Sequence, residues 1–246
     1  VNIVAIGGGD VGAGETLPMD QELVRLAGKP SPHVLFIPTA SDDSLDYAER
    51  VNSTYSKLGC SFETLLLWSV DGDSEIARQK IERADLVYVG GGNTKKMIAL
   101  WKEFGVDGWL KRHLDSGKPA GGVSAGAICW FRVGNSDWPI YEAIPGINTA
   151  RLDCLGFVDL VACPHTAREG FRLGDFREMM KTEQGPGIGI DDCCAIQIRG
   201  GEYRILSSAA GARAHRIEWR GGGLDESILE PHPDFRPLSD LKKSYA

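Results

Sequence analysis

The sequence predicts an α/β fold built on a doubly wound parallel sheet. Short apolar, β-rich runs alternate with amphipathic stretches through the first two thirds of the chain, and capping residues punctuate that alternation. The strand candidates are residues 2–6, 33–37, 62–67, 86–89 and 119–123; the helix candidates between them are residues 20–27, 45–58, 74–83 and 94–104. "SDDSLDYAERV" offers N-cap side chains ahead of its apolar period, and "SKLGC" ends that segment on a glycine suited to a C-cap. After Trp130 the pattern changes to short strands and turns, with one more helix near residues 170–181. "GIGIDD", "CCAIQIRGGEYRILSS" and "AHRIEW" read as consecutive strands, with a hairpin at "RGGEY", and are expected to cover one edge of the same sheet. From Gly221 onward prolines and charges mix without period. Residues 1–220 are therefore read as one α/β domain and residues 221–246 as a loosely ordered tail.

A chain of 246 residues with a formal net charge of -7 makes a poor partner for nucleic acid or an anionic membrane. Its longest apolar runs, such as residues 34–38 and 64–68, are strand-length, and it opens directly on "VNIVAI". The expected location is cytoplasmic. Six cysteines (Cys60, Cys129, Cys154, Cys163, Cys193, Cys194) show no CxxC spacing, so reduced, buried thiols are expected rather than a zinc or redox site.

In an open parallel sheet, sites form beyond the carboxyl ends of strands. "GGGDVG", "PTASDD", "GGGNT" and "GVSAGA" all fall there. The stretch Gly122-Val123-Ser124-Ala125-Gly126 fits G-x-S-x-G between a strand and a helix, where small residues let the chain turn sharply, push the Ser124 hydroxyl outward and leave the Ala125 amide facing the same side. A plain strand-to-helix turn is the competing reading. In "YVGGGNT", Gly91 or Gly92 offers a second oxyanion donor; a phosphate cradle competes, but the spacing is not that of a P-loop. Asn93 is read either as a substrate contact or as a helix N-cap.

Of five histidines, His33 and His215 lie in strand candidates, His113 in a helix-like segment and His232 in the tail. His165 alone ends an apolar run and opens a polar loop, so it suits a general base. The acids between Ser124 and His165 that could orient it are Asp137, Glu142, Asp153 and Asp159, with Asp137 in "GNSDWPI" best placed; a turn aspartate before a proline is an equally good local reading. Beyond His165, "AREGFRLGDFREMM" places Arg168, Arg172 and Arg177 near a helix start, where Arg172, with Arg168 beside it, suits a substrate carboxylate.

Taken together and in this order, "VGGGNT", "GVSAGA", "SDWPI" and "PHTAREGFR" resemble the peptidase E family of serine dipeptidases, relatives of cyanophycinase. The resemblance runs from "IVAIGGG" to "YRILSS". It implies a flavodoxin-like or class I glutamine-amidotransferase-like α/β fold, hydrolysis of dipeptides beginning with aspartate, and no metal or organic cofactor. It gives Ser124 as nucleophile, His165 as base, Asp137 as the acid of the triad and Arg172 as the grip on the aspartate side chain. Here the acid segment carries an extra serine, "NSDWPI", and the loop from His165 to Arg172 is short. Three other readings stand beside it: a cyanophycinase-like or isoaspartyl peptidase with the same nucleophile, a nonenzymatic glutamine-amidotransferase-like binding module, and a nucleotide site on the two GGG loops. The expected partners are a small peptide substrate and a second copy of the chain in a homodimer.

Overall fold

The computed structural model describes residues 1–68 and 73–243 and arranges them around two sheets. The five early strands form as β1 (Asn2–Ile6), β2 (His33–Ile37), β3 (Ser61–Thr64), β4 (Leu86–Val89) and β5 (Pro119–Val123). All are parallel, in the order β1-β5-β4-β2-β3. Helices α1 (Leu17–Leu26), α2 (Leu45–Lys57), α3 (Ser74–Arg83), α4 (Thr94–Phe104) and α5 (Val106–Asp115) connect them. Three of these helices start at side-chain caps: Ser44, Asp73 and Asn93 accept the amides of Tyr47, Glu75 and Lys96. β3 stops short of the expected residue 67. Its neighbour β2 runs into Pro38, which has no N–H to continue the ladder, and the last bond is from Leu65 N–H to the Phe36 carbonyl.

The remainder of the chain does more than cover an edge. After the short α6 (Ala125–Ile128) come β6 (Phe131–Ser136), α7 (Trp138–Tyr141), β7 (Ala150–Asp153), β8 (Val158–Cys163), α8 (Arg172–Met180) and β9 (Gly187–Ile190). These are followed by β10 (Cys194–Arg199), β11 (Glu202–Ser207), β12 (Ala214–Arg220), β13 (Gly223–Leu229) and β14 (Arg236–Pro237). β10, β11 and β14 extend the first sheet antiparallel from β1, whereas β9, β12 and β13 join a second, six-stranded sheet in the order β13-β12-β9-β8-β6-β7. β6, β8 and β9 are parallel there, with all four residues of "GIGI" buried. One buried cluster spans both sheets, from Ile3, Val89 and Trp101 to Leu160, Ile188 and Leu229.

The expected loose tail is a correction as well. β13 pairs with β12 from Arg220↔Gly223 to Ala214↔Leu229, and the turn Leu238–Lys242 buries Leu241. Fully buried Arg216 pairs with Asp225 at 3.0 Å and donates its Nε to the Leu241 carbonyl at 2.6 Å, fixing this segment through Lys243. β13 is an outer strand with mostly solvent-facing residues, so its main-chain ladder leaves no apolar period to read.

Beneath the first sheet, Asp20 is fully buried and accepts hydrogen bonds from Thr16 Oγ1 (2.7 Å) and Tyr55 Oη (3.0 Å). Burial pushes its carboxyl up to about 7 against the lowering effect of those two donors. The folded value lies above the ordinary one, so the native state holds the proton more tightly. That stabilisation is whole below about pH 4 and is lost as pH climbs toward 7. Asp20→Asn, equal in shape and without the charge, is expected to remove this loss. In urea unfolding, wild type should lose up to about 4 kcal/mol between pH 4 and pH 8 through this group, and the variant should show a correspondingly flatter profile; equal slopes would refute it.

Candidate active site

The turn from β5 into α6 holds Ser124 at φ 58°, ψ -111°, a backbone conformation that costs a non-glycine residue roughly 1–3 kcal/mol. Neighbours hold it there: Ser124 N–H donates to the Ile6 carbonyl at 3.0 Å, and the Ser124 carbonyl accepts from Ala127 and Ile128. The second glycine of G-x-S-x-G is required by close approach, since a Cβ on Gly126 would lie within 2.9 Å of the Val89 carbonyl group and Cβ. The effect of this packing is to present the Ser124 hydroxyl to His165, whose Nε2 lies 2.8 Å from Oγ.

His165 follows β8 and is itself at φ 56°, so Ser124 and His165 both stand on strained backbone. Its Nδ1 lies 2.8 Å from Asp192 Oδ1. Burial would raise the Asp192 carboxyl, but the His165 hydrogen bond and charge, the Arg168 charge and the Arg168 N–H together hold it below the ordinary aspartate value. A serine, an imidazole and an ionised carboxylate thus form one hydrogen-bonded line.

That line corrects the expected acid. Asp137 does not meet His165; its Oδ2 lies 3.3 Å from Arg172 Nη2. The carboxylate on His165 comes from the far side of the histidine in sequence, at the carboxyl end of β9, where the chain crosses from the second sheet into β10 of the first. Gly8, just beyond β1, forms a parallel bridge with Asp192 and accepts the Cys193 N–H at 2.9 Å. The first glycine loop therefore lies against the acid of the line. The line straddles the seam between the sheets, with Ser124 after β5 of the first, His165 after β8 of the second and Asp192 in the crossing from β9 to β10.

Other expected contacts are distributed differently. Ala125 opens α6 directly after Ser124. Gly91 packs against it: a Cβ there would be 3.3 Å from Ser124 Cβ and 3.8 Å from Oγ, and its N–H now donates to Tyr47 Oη at 3.3 Å. Gly92, at φ 133°, lines a cleft of about 600 Å³ together with Ser41, Asn93, Lys95, Lys96 and Tyr141. Asn93 is the N-cap of α4, its side chain accepting from Lys96 N–H at 3.1 Å. Exposed Arg168 donates its backbone N–H to Asp192 Oδ2 (3.3 Å) and sets its guanidinium 3.4 Å from Glu15. Arg172 is 1 % exposed; Glu169 Oε2 takes both Nε (2.9 Å) and Nη2 (2.6 Å), and Nη1 is enclosed with no hydrogen-bond partner.

Asp192 is the member of this line that local reading misses. Its signal is present in "GIGIDD", two adjacent acids ending a fully apolar strand, which is where an α/β sheet builds sites. The six cysteines are free thiols. Among the described residues no group of three His, Cys, Asp or Glu could hold a metal ion, and no helix is long and apolar enough to cross a membrane.

Comparison with known proteins places the chain in a family. The chain is 32% identical over 218 residues to the uncharacterized peptidase YgaJ of Bacillus subtilis, covering 87% of this chain and 91% of that one. It is 27% identical over 221 residues to a peptidase E of Streptomyces coelicolor, covering 85% and 83% of the two chains. The crystal structure of a peptidase from an acI-B1 actinobacterium superposes with a TM-score of 0.71 over 96% of each chain at 18% identity, which shows a shared fold. The sequence profile of peptidase family S51 matches residues 3–206. With most of its length matched, the chain belongs to peptidase family S51 and is a serine peptidase.

Proposed function

We propose that the protein is a dipeptidase that hydrolyses peptides with an N-terminal aspartate through an acyl-enzyme on Ser124. The observation that carries this reading is the Ser124–His165–Asp192 line, with 2.8 Å at both of its hydrogen bonds. Ser124 Oγ attacks the carbonyl carbon of the first residue as His165 Nε2 takes its proton; His165 then delivers that proton to the leaving amine, and water repeats the sequence to release the acid. Asp192 holds the imidazole in the required tautomer and stabilises its protonated form. The Ala125 amide and the amide of Gly91, exchanging its long bond to Tyr47 for the substrate, hold the oxyanion, with Gly92 as the alternative second donor; loss of one such donor costs about 10² to 10³ in rate.

The preference for aspartate rests on Arg172. Its unpartnered Nη1 supports an anion contact, while Glu169 and Asp137 already offset its charge, so an entering carboxylate has to compete with two resident ones. The test is a panel of dipeptides varying the first residue, with α-Asp-X and β-Asp-X compared, run on wild type and on Arg172→Ala, with Ser124→Ala as the inactive blank. Wild type should favour α-Asp-X, and Arg172→Ala should lower kcat/KM on Asp-X about 10²-fold, the scale of a lost charge-assisted pair, while sparing neutral first residues. Equal wild-type rates on Asp-X and Leu-X would overturn the aspartate preference, and cleavage of β-Asp-X alone would establish the isoaspartyl reading instead.

A further inference from the structure

Next to the triad stands a second set of hydrogen-bonded side chains that the reaction does not use. Asp191 is 4 % exposed and Thr166 is 7 % exposed. Thr166 Oγ1 donates to Asp191 Oδ1 at 2.7 Å, His215 Nε2 lies 3.3 Å from the same oxygen, and Arg213 N–H donates to Oδ2 at 3.1 Å. The backbone repeats the connection: Thr166 N–H donates to the Ile190 carbonyl and Asp191 N–H to the Arg213 carbonyl. Burial opposes the charge on Asp191, yet bonds from His215, Thr166 and the Arg213 amide hold its carboxyl below the ordinary value. A buried carboxylate kept ionised by three donors is expensive packing unless its geometry matters.

We infer that Asp191 is a positioning residue for His165, acting through the Thr166 hydroxyl. The inference rests on the proposed role of His165 as base. His165 occupies a left-handed backbone conformation that no glycine relieves, and only its neighbours can hold it. Upstream, its N–H donates to the Gly7 carbonyl at 3.2 Å; downstream, the Thr166–Asp191 clamp fixes the next residue to the end of β9 and, through His215, to β12. The adjacent acids of "DD" divide the work: Asp192 orients the imidazole ring, and Asp191 fixes the backbone that carries it. Without the clamp, the imidazole is free to swing off the Ser124 hydroxyl while the substrate contacts stay in place.

The experiment compares Thr166→Val, which removes the hydroxyl and keeps the β-branched shape, with Thr166→Ser, which keeps the hydroxyl. Dipeptide kinetics, the rate of Ser124 acylation by a fluorophosphonate and the low-field proton resonance of the His165–Asp192 hydrogen bond are measured below the melting temperature of each protein. Thr166→Val should lower kcat and the acylation rate by about tenfold or more, the scale of a small misplacement of a catalytic group, with KM within about twofold. Its low-field resonance should broaden or vanish, and Thr166→Ser should stay near wild type in all three. A folded Thr166→Val that acylates at the wild-type rate and keeps the resonance would overturn the inference, as would a Thr166→Ser as impaired as the valine variant. A wild type that neither acylates nor cleaves Asp-X strikes the peptidase mechanism instead; the resonance, present in wild type and lost in Thr166→Val, still reads the clamp.

Discussion

Gly8→Ala is expected to lower kcat/KM by about 10³- to 10⁴-fold, the scale of losing a triad member's alignment, although residue 8 touches no substrate in the mechanism above. A Cβ at this position would lie within 2.7 Å of Asp192 Oδ1, His165 Nδ1 and His165 Cε1, closer than real Cβ atoms come to any neighbour. The backbone has little room to retreat. Gly8 O accepts from Cys193 N–H, Gly7 N–H donates to the Cys194 carbonyl, Gly7 O accepts from His165 N–H, and Gly8 bridges to Asp192. The movable part is the His165–Asp192 pair itself, whose side chains are 19 % and 8 % exposed. Displacing the ring breaks its alignment with Ser124, with Asp192 or with both. Steady-state kinetics and fluorophosphonate acylation of Ser124 should fall together, while urea unfolding shows a folded protein. An alanine variant with wild-type acylation would mean that the first glycine loop does not seat the triad.

That dependence explains what could be read from the sequence. The parallel half of the first sheet was legible because its signals are local: α3 and α4 span the expected residues 74–83 and 94–104, and β1, β2, β4 and β5 are short apolar runs followed by turn residues. Ser124 and His165 were legible because a strand end and a glycine-rich turn dictate where each projects. Asp192 was not, because its place beside His165 depends on β9 pairing with β8 in a sheet that local periodicity does not announce. Asp137 stands near His165 for a reason the sheet supplies. β6 lies parallel to β8 with Gly134 opposite Ala162, so three residues further on Asp137 is level with His165. Two carboxylates stand at this sheet edge, and Asp137 is the one held by Arg172 instead of the imidazole. β9 to β12 form where strands were expected, but β13 was not legible for a related reason: it is defined by main-chain pairing, and an outer strand facing solvent leaves no apolar signature.

The two acids separate in their substitutions. Asp192→Asn should cut kcat by about 10⁴, because an amide that donates to His165 Nδ1 selects the tautomer with its proton on Nε2, and that nitrogen can then no longer accept from Ser124. Asp137→Asn leaves the line intact. It removes one of the two carboxylates on Arg172, so its effect should fall on KM for acidic substrates and spare kcat within about tenfold. The pH profiles should divide in the same way. The folded Asp192 carboxyl lies below its unfolded value of 3.8, so it stays charged through the neutral range, and the stability it contributes is present above that value and lost only as pH falls further. Wild type should therefore keep the Asp192 contribution to both stability and rate down to about pH 4, whereas Asp192→Asn should lose rate at every pH and show a flatter stability profile at the acid end. If Asp137→Asn instead abolished turnover while Asp192→Asn left kcat within tenfold of wild type, the carboxylate would act on His165 from β6, and the line seen at the seam would be a resting arrangement.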